Sequence, residues 1–249
     1  MKQNSFSKKR IIHIYIVILI IVLIFLMAGF FMIKYSVEGE KKLPFKIEKI
    51  NVISTAESDI KQDDDENWHA GILQENDIFL CLDKNDKYKK LDTIKSIKLE
   101  NFQIEKSNEN MQIKIYRPKS NNFDYLYSED FVVADTIQFD GGLETNLEAL
   151  QINNQGATLG FSIAVENLGE YAFSLNEKVP SDGKILAKAG LKTEDIKFTV
   201  SFDLIIETGS NNKFKSTITL ELPTGDILTE GVSTYEDTEL KDIVFKRIR

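Results

Sequence analysis

Residues 11–33 run for twenty-three positions without an Asp, Glu, Lys or Arg, directly after Lys8-Lys9-Arg10. At about 1.5 Å per residue, a helix of that length exceeds the roughly 30 Å of hydrocarbon in a bilayer. Lipid offers no partner for open backbone N–H and C=O groups, so such a run must close its hydrogen bonds internally, as a helix. Everything beyond it is then confined to one side of a membrane.

Flanking charge sets the orientation. Lys2, Lys8, Lys9 and Arg10 precede the run with no acid among them, and Glu38 and Glu40 follow it among Lys34, Lys41 and Lys42. Short segments rich in Lys and Arg stay cytoplasmic. The reading is a cytoplasmic segment 1–10, a transmembrane helix 11–33, a tether 34–44 and an extracytoplasmic region 45–249. Tyr35 follows the span, while Tyr15 lies rather deep within it for an interfacial residue. His13 lies close enough to the interface to reach water, so an incidental role is expected for it rather than a functional one.

A cleaved signal peptide is the competing reading. Signal h-regions run about 7–15 residues and end at a small-x-small site. This run is longer, and Ala28-Gly29 sits between bulky Met27 and Phe30, so retention is expected. The lone cysteine, Cys81, lies too far downstream for a lipoprotein. No Gly before the run and no Glu within it matches a type IV prepilin.

Five of the 31 Lys and Arg precede residue 35 and none of the 39 acids does, so residues 35–249 carry 26 bases against 39 acids, net −13. Nucleic-acid affinity rests on basic residues neutralising phosphates, which argues against that partner. The same balance argues against lying flat on anionic lipid. One cysteine excludes an internal disulfide, and the wealth of Ile, Lys, Asn, Asp and Glu suits an AT-rich bacterial genome, with a lean towards a Gram-positive surface.

Period-two alternation dominates beyond Pro44. Phe198, Val200, Phe202, Leu204 and Ile206 alternate with polar neighbours, as do Phe214, Ile218, Leu220 and Leu222. Thr208-Gly209-Ser210-Asn211-Asn212 lies between the two sets, which predicts a β-hairpin with one buried and one wet face. Shorter alternating sets occur at 78–82, 111–116, 158–165 and 243–245, and further strands are expected at 45–54, 68–74, 94–105, 124–134 and 184–189. Thr145 and Glu148 sit at capping-box spacing, which suggests a short helix at 144–150. The fold class that follows is mainly β, one or two antiparallel β-sandwiches outside a single N-terminal helix. Gly141-Gly142 either separates two domains or turns the chain within one sandwich.

Chemistry-bearing constellations are sparse. His69 is the only histidine beyond the span, and no Ser occupies a Gly-x-Ser-x-Gly elbow. Cys81, between Leu80 and Leu82, reads as a buried structural thiol. Zinc sites draw on several Cys and His, which are absent. Asp63-Asp64-Asp65-Glu66 reads as a solvated acid run, and Asp83-Lys84-Asn85-Asp86 lacks the third ligand, sixth-position Gly and final Glu of a calcium loop. Leu222-Pro223-Thr224-Gly225 reads as a strand end and turn. Phe123, Tyr125 and Tyr127 fall on one face of an extended segment, where they either join the core or stack on a sugar or partner. With 39 acids, paired-carboxylate hydrolysis remains open but no pair can be singled out. No residue is therefore assigned a catalytic, cofactor or metal role.

Glu166-Asn167-Leu168-Gly169-Glu170-Tyr171 resembles the turn of bacterial adhesion-type and immunoglobulin-like sandwich modules, which implies fold class alone. From the basic N-terminus through Val52-Ile53-Ser54-Thr55-Ala56-Glu57 to Asp242-Ile243-Val244-Phe245-Lys246-Arg247, the chain resembles single-pass membrane proteins of clostridia-like, low-GC Gram-positive bacteria. Those proteins carry no assigned activity, so the resemblance implies envelope localisation and transfers no functional residue. The expectation is a membrane-anchored, non-enzymatic protein that binds an envelope protein or glycan without a cofactor. A carboxylate-dependent hydrolase and an accessory subunit of a membrane complex are the alternatives.

Overall fold

The alternating sequence 198–222 folds as two strands whose phase places every second apolar side chain inside. A computed structural model describes residues 3–36, 43–62, 68–119, 127–142, 150–173, 184–240 and 243–248. Strand β8 (Phe198–Thr208) pairs antiparallel with β9 (Lys213–Leu222), Phe202 opposite Ile218 and Ile206 opposite Phe214. Phe198, Val200, Phe202, Leu204 and Ile206 are all buried.

This hairpin is the middle of one of two sheets. β3 (Ile94–Lys106) lies beside β8, followed by β5 (Thr136–Asp140) and the two-residue β6 (Leu150–Gln151), while β11 (Lys246–Ile248) closes the other edge on β9. The order is β11-β9-β8-β3-β5-β6, antiparallel except for β5 with β6. The second sheet has the order β10-β1-β2-β7-β4, from β1 (Phe45–Gln62), β2 (Trp68–Lys84), β4 (Gln112–Tyr116), β7 (Ala157–Phe173) and β10 (Val232–Asp237). Both sheets draw strands from before and after Gly141. Gly141 itself packs so close to the Ile94 carbonyl that a Cβ there would collide with it.

The inner faces meet across one large apolar core. Phe161 of β7 and Phe202 of β8 touch edge to face at 5.2 Å, and Phe102 of β3 lies 5.5 Å from Phe202. A smaller core sits at the far end of the second sheet. There Ala70 and Ile72 of β2 meet Ile185 and Leu186 of α2 (Ile185–Lys188), Ile196 of α3 (Thr193–Ile196) and Ile227 of α4 (Ile227–Glu230). Between the two cores β2 turns Gln74 and Asn76 inward, both fully buried. Asn76 accepts from Ser54 Oγ at 2.8 Å and from Gln74 Nε2 at 3.3 Å, and donates to the Ile163 carbonyl at 3.1 Å. A polar layer thus separates two apolar ones.

Helix α1 (Gln3–Ser36) extends past the apolar run on both sides. From Ile11 to Met32 it is long and apolar enough to cross a membrane, and none of that stretch is buried against protein. Side chains such as Phe25 and Met32 need an apolar surrounding that the sandwich does not provide.

Several local expectations differ from the structure. Residues 184–189, expected as a strand, form α2, because Ile185 and Leu186 both point into the small core. In the expected strand 124–134, Glu129–Phe131 form a 3-10 turn, and 120–126, with Phe123 and Tyr125, lie outside the described residues. The span 166–171, expected as a turn, continues β7 with Asn167 at φ 54° beside a register shift opposite Ile72–Gln74. Cys81 is only half-buried, since it faces away from Leu80 and Leu82 on the outer side, with Thr158 Oγ1 3.8 Å away. The acid run 63–66 lies outside the described residues, as do 144–149 of the helix suggested at 144–150, whose last residue, Leu150, begins β6.

Candidate functional site

The outer face of the second sheet carries the molecule's unusual chemistry. On β2 the odd-numbered residues point outward, so Glu75 and Asp77 share that face two positions apart, roughly 7 Å between Cα atoms. Glu75 stands opposite Thr55 on β1 and Ala164 on β7, and Asp77 stands opposite Ile53 and Ser162. None of these strand neighbours carries charge. Both carboxyls are partly buried, and one oxygen of Asp77 is buried with no hydrogen-bond partner.

Tyr127 covers the pair. Its ring meets Tyr116 edge to face at 5.0 Å, and its hydroxyl lies 3.1 Å from Ser162 Oγ and hydrogen-bonds Glu75 and Asp77. Ser162 in turn donates to the Asn76 carbonyl at 3.4 Å. Burial pushes the Glu75 carboxyl up to about 7; Tyr127 opposes the shift, and the charges of Glu57 and Asp77 reinforce it. Burial also raises Asp77, against hydrogen bonds from Ser162 and Tyr127. The Tyr127 phenol is raised by burial as well.

Asp203 shows what the pair lacks. It is buried on the outer face of the other sheet, and burial works against its charge. Lys215 at 2.8 Å, Thr217 at 2.7 Å and Asn101 at 2.8 Å outweigh that cost and hold it below the ordinary carboxylate range. Glu166 behaves similarly beside the pair. Burial opposes its ionisation, while Lys114 at 2.9 Å and the Tyr116 hydroxyl at 2.5 Å lower it. Lys114 also reaches Glu129 at 2.8 Å, which ties the turn 129–131 down beside Tyr127.

Next to this cluster opens a groove of about 440 Å³. Tyr127 forms one wall, and Gly71, Ala164 and Gly169 keep the floor low. Its rim is polar and of mixed charge, with Lys61, His69, Glu166 and Asn167 among the lining residues. Asp59 holds Lys61 at 2.6 Å. An aromatic wall above small residues, ringed by donors and acceptors, suits a flat polar ligand.

His69, which the sequence leaves without an assigned role, lies on this rim, within the same groove as Tyr127. Of the aromatic row, Tyr127 is the described member and lines the groove. Glu75 and Asp77 were not singled out. Asn85, in the calcium-like stretch, is buried and ties the chain to Leu43 through Nδ2 at 2.9 Å, a structural role. Among the described residues no group of three or more His, Cys, Asp or Glu could hold a metal ion. No family model, curated protein or solved structure matches the chain.

Proposed function

We propose that this protein is a membrane-anchored, extracytoplasmic binding protein of the cell envelope, and that it takes its ligand in the groove beside Tyr127. The groove carries the reading. Its aromatic wall and its rim of Lys61, His69, Glu166 and Asn167 offer stacking together with donors and acceptors, which a wall glycan can use along its length. The charge balance before and after α1 supports a cytoplasmic N-terminus.

The test is binding of isolated cell-wall glycan fragments to the full chain in lipid nanodiscs. Lys61→Ala with Asn167→Ala removes two exposed rim side chains and weakens binding about tenfold or more, as for residues that anchor an interface. Unchanged affinity would remove the groove from the account.

A carboxylate-dependent envelope hydrolase is the second reading, and Glu75 favours it. A carboxyl raised to about 7 beside a second acid has the environment of a general acid. Product release from the same glycan, abolished by Glu75→Gln while binding persists, would favour that reading over binding alone.

A further inference from the structure

Charge on the extracytoplasmic region is segregated, which its net value conceals. The strand starts and loops at one end of the sandwich include residues 43–47, 83–93 and 243–248. Together they hold seven bases against three acids, in a region whose net charge is −13. Lys46, Lys84, Lys87, Lys89, Lys90 and Lys246 are exposed there. Two apolar side chains stand out into solvent among them, Leu91 at 98% exposure and Val244 at 57%. A cavity of about 410 Å³ lies between Leu43, Ile47, Ile243 and Phe245, with Lys46 and Lys87 at its edge.

This is the end at which the chain enters. Leu43, the first buried residue of the sandwich, follows Met32 by eleven positions, at most roughly 40 Å of extended chain. The connecting sequence adds Lys41 and Lys42. β1 then runs away for 18 residues, roughly 60 Å, and its far half carries exposed Glu57 and the Asp59–Lys61 ion pair.

We infer that the 43–47, 83–93 and 243–248 end of the sandwich docks end-on against anionic phospholipid headgroups of the bilayer that holds α1. The lysines meet the headgroup phosphates, and Leu91 and Val244 enter the interface. A Lys near an anionic surface contributes about 1 kcal/mol, a factor of about five in occupancy, and several act together. The far end carries Lys61, Lys184, Lys188 and Lys192 interspersed with its acids and gains less from the same surface, so the sandwich stands upright and the Tyr127 groove, on a sheet face, stays open to the envelope space. The inference requires only α1 in a bilayer and is independent of what the groove binds.

The test is hydrogen exchange of the full chain in nanodiscs, containing either phosphatidylglycerol or phosphatidylcholine. Amides of 83–93 and 243–248 exchange at least about fivefold more slowly in the anionic lipid, in line with the contribution of a single lysine. Salt of about 0.5 M, with a Debye length of roughly 4 Å, removes the difference. So does Lys87→Gln/Lys89→Gln/Lys90→Gln, whose β8 amides exchange as in the parent and report an intact fold. Equal exchange in the two lipids, or slowing that persists in the triple variant, overturns the inference, and neither result bears on glycan binding at the groove.

Discussion

The hydroxyl of Tyr127 lies 3.1 Å from Ser162 Oγ, and through that contact it closes the outer face of the sheet over Glu75 and Asp77. Burial there raises both acids while the Tyr127 hydroxyl opposes the shift, on a strand whose other face is buried.

Stability should fall as pH rises through that site. Glu75 has a folded value of about 7 against 4.5 in the unfolded chain, so between those values the folded state binds the extra proton. Stability present below about pH 4.5 is therefore lost progressively up to about pH 7, and Asp77, also raised, adds to the same slope. After allowance for partial solvent screening the loss is about 1–2 kcal/mol. Urea unfolding of the full chain in nanodiscs at pH 5 and pH 7.5 measures it. Glu75→Gln, which never ionises, should flatten most of the slope, and an unchanged slope would place the titration elsewhere.

Tyr127→Phe keeps the ring against Tyr116 and removes the hydroxyl that favours ionised Glu75 and Asp77. Its cost should therefore grow with pH, reaching about 1 kcal/mol more at pH 7.5 than at pH 5. A uniform cost at both pH values would mean that the hydroxyl serves Ser162 alone.

In the core, Phe202 is 1% exposed between Phe102 and Phe161. Phe202→Asp buries an unpaired charge at a cost of several kcal/mol and should unfold the sandwich. Phe202→Ala leaves a cavity worth about 3–5 kcal/mol. Circular dichroism of both variants decides it, and a cooperatively folded Asp variant would show the strand phase to be wrong.

The polar layer between the cores makes a separate prediction. Ser54 Oγ donates to Asn76 and accepts from the Thr224 amide at 3.1 Å. Ser54→Ala leaves that amide and Asn76 short of partners and should cost about 1–3 kcal/mol in the same urea titration. A neutral Ser54→Ala would mean that both groups find other partners.

The hairpin 198–222 was legible in the sequence because one of its faces is apolar except for Thr208 and Ser216, so period two survives. β2 was read as two pieces, 68–74 and 78–82, and the reason is chemical. Gln74-Glu75-Asn76-Asp77 puts amides inside and carboxyls outside, so neither face of that stretch is apolar. The interruption is itself the candidate site. Its partners were illegible for a second reason: Ser162 reaches Asp77 only because β2 pairs with β7, and Tyr127, 35 positions before Ser162, reaches it only because β4 pairs along the other side of β7. Likewise α2 was read as a strand because Ile185-Leu186 satisfy either period over so few residues.

The account stands most directly on the position of the sandwich relative to the membrane. Protease added to intact protoplasts of cells making the full chain should digest residues 45–249 and leave a protected fragment that still carries Lys8-Lys9-Arg10 joined to the apolar run. Full protection of 45–249, or a released chain starting near Phe30, would contradict it.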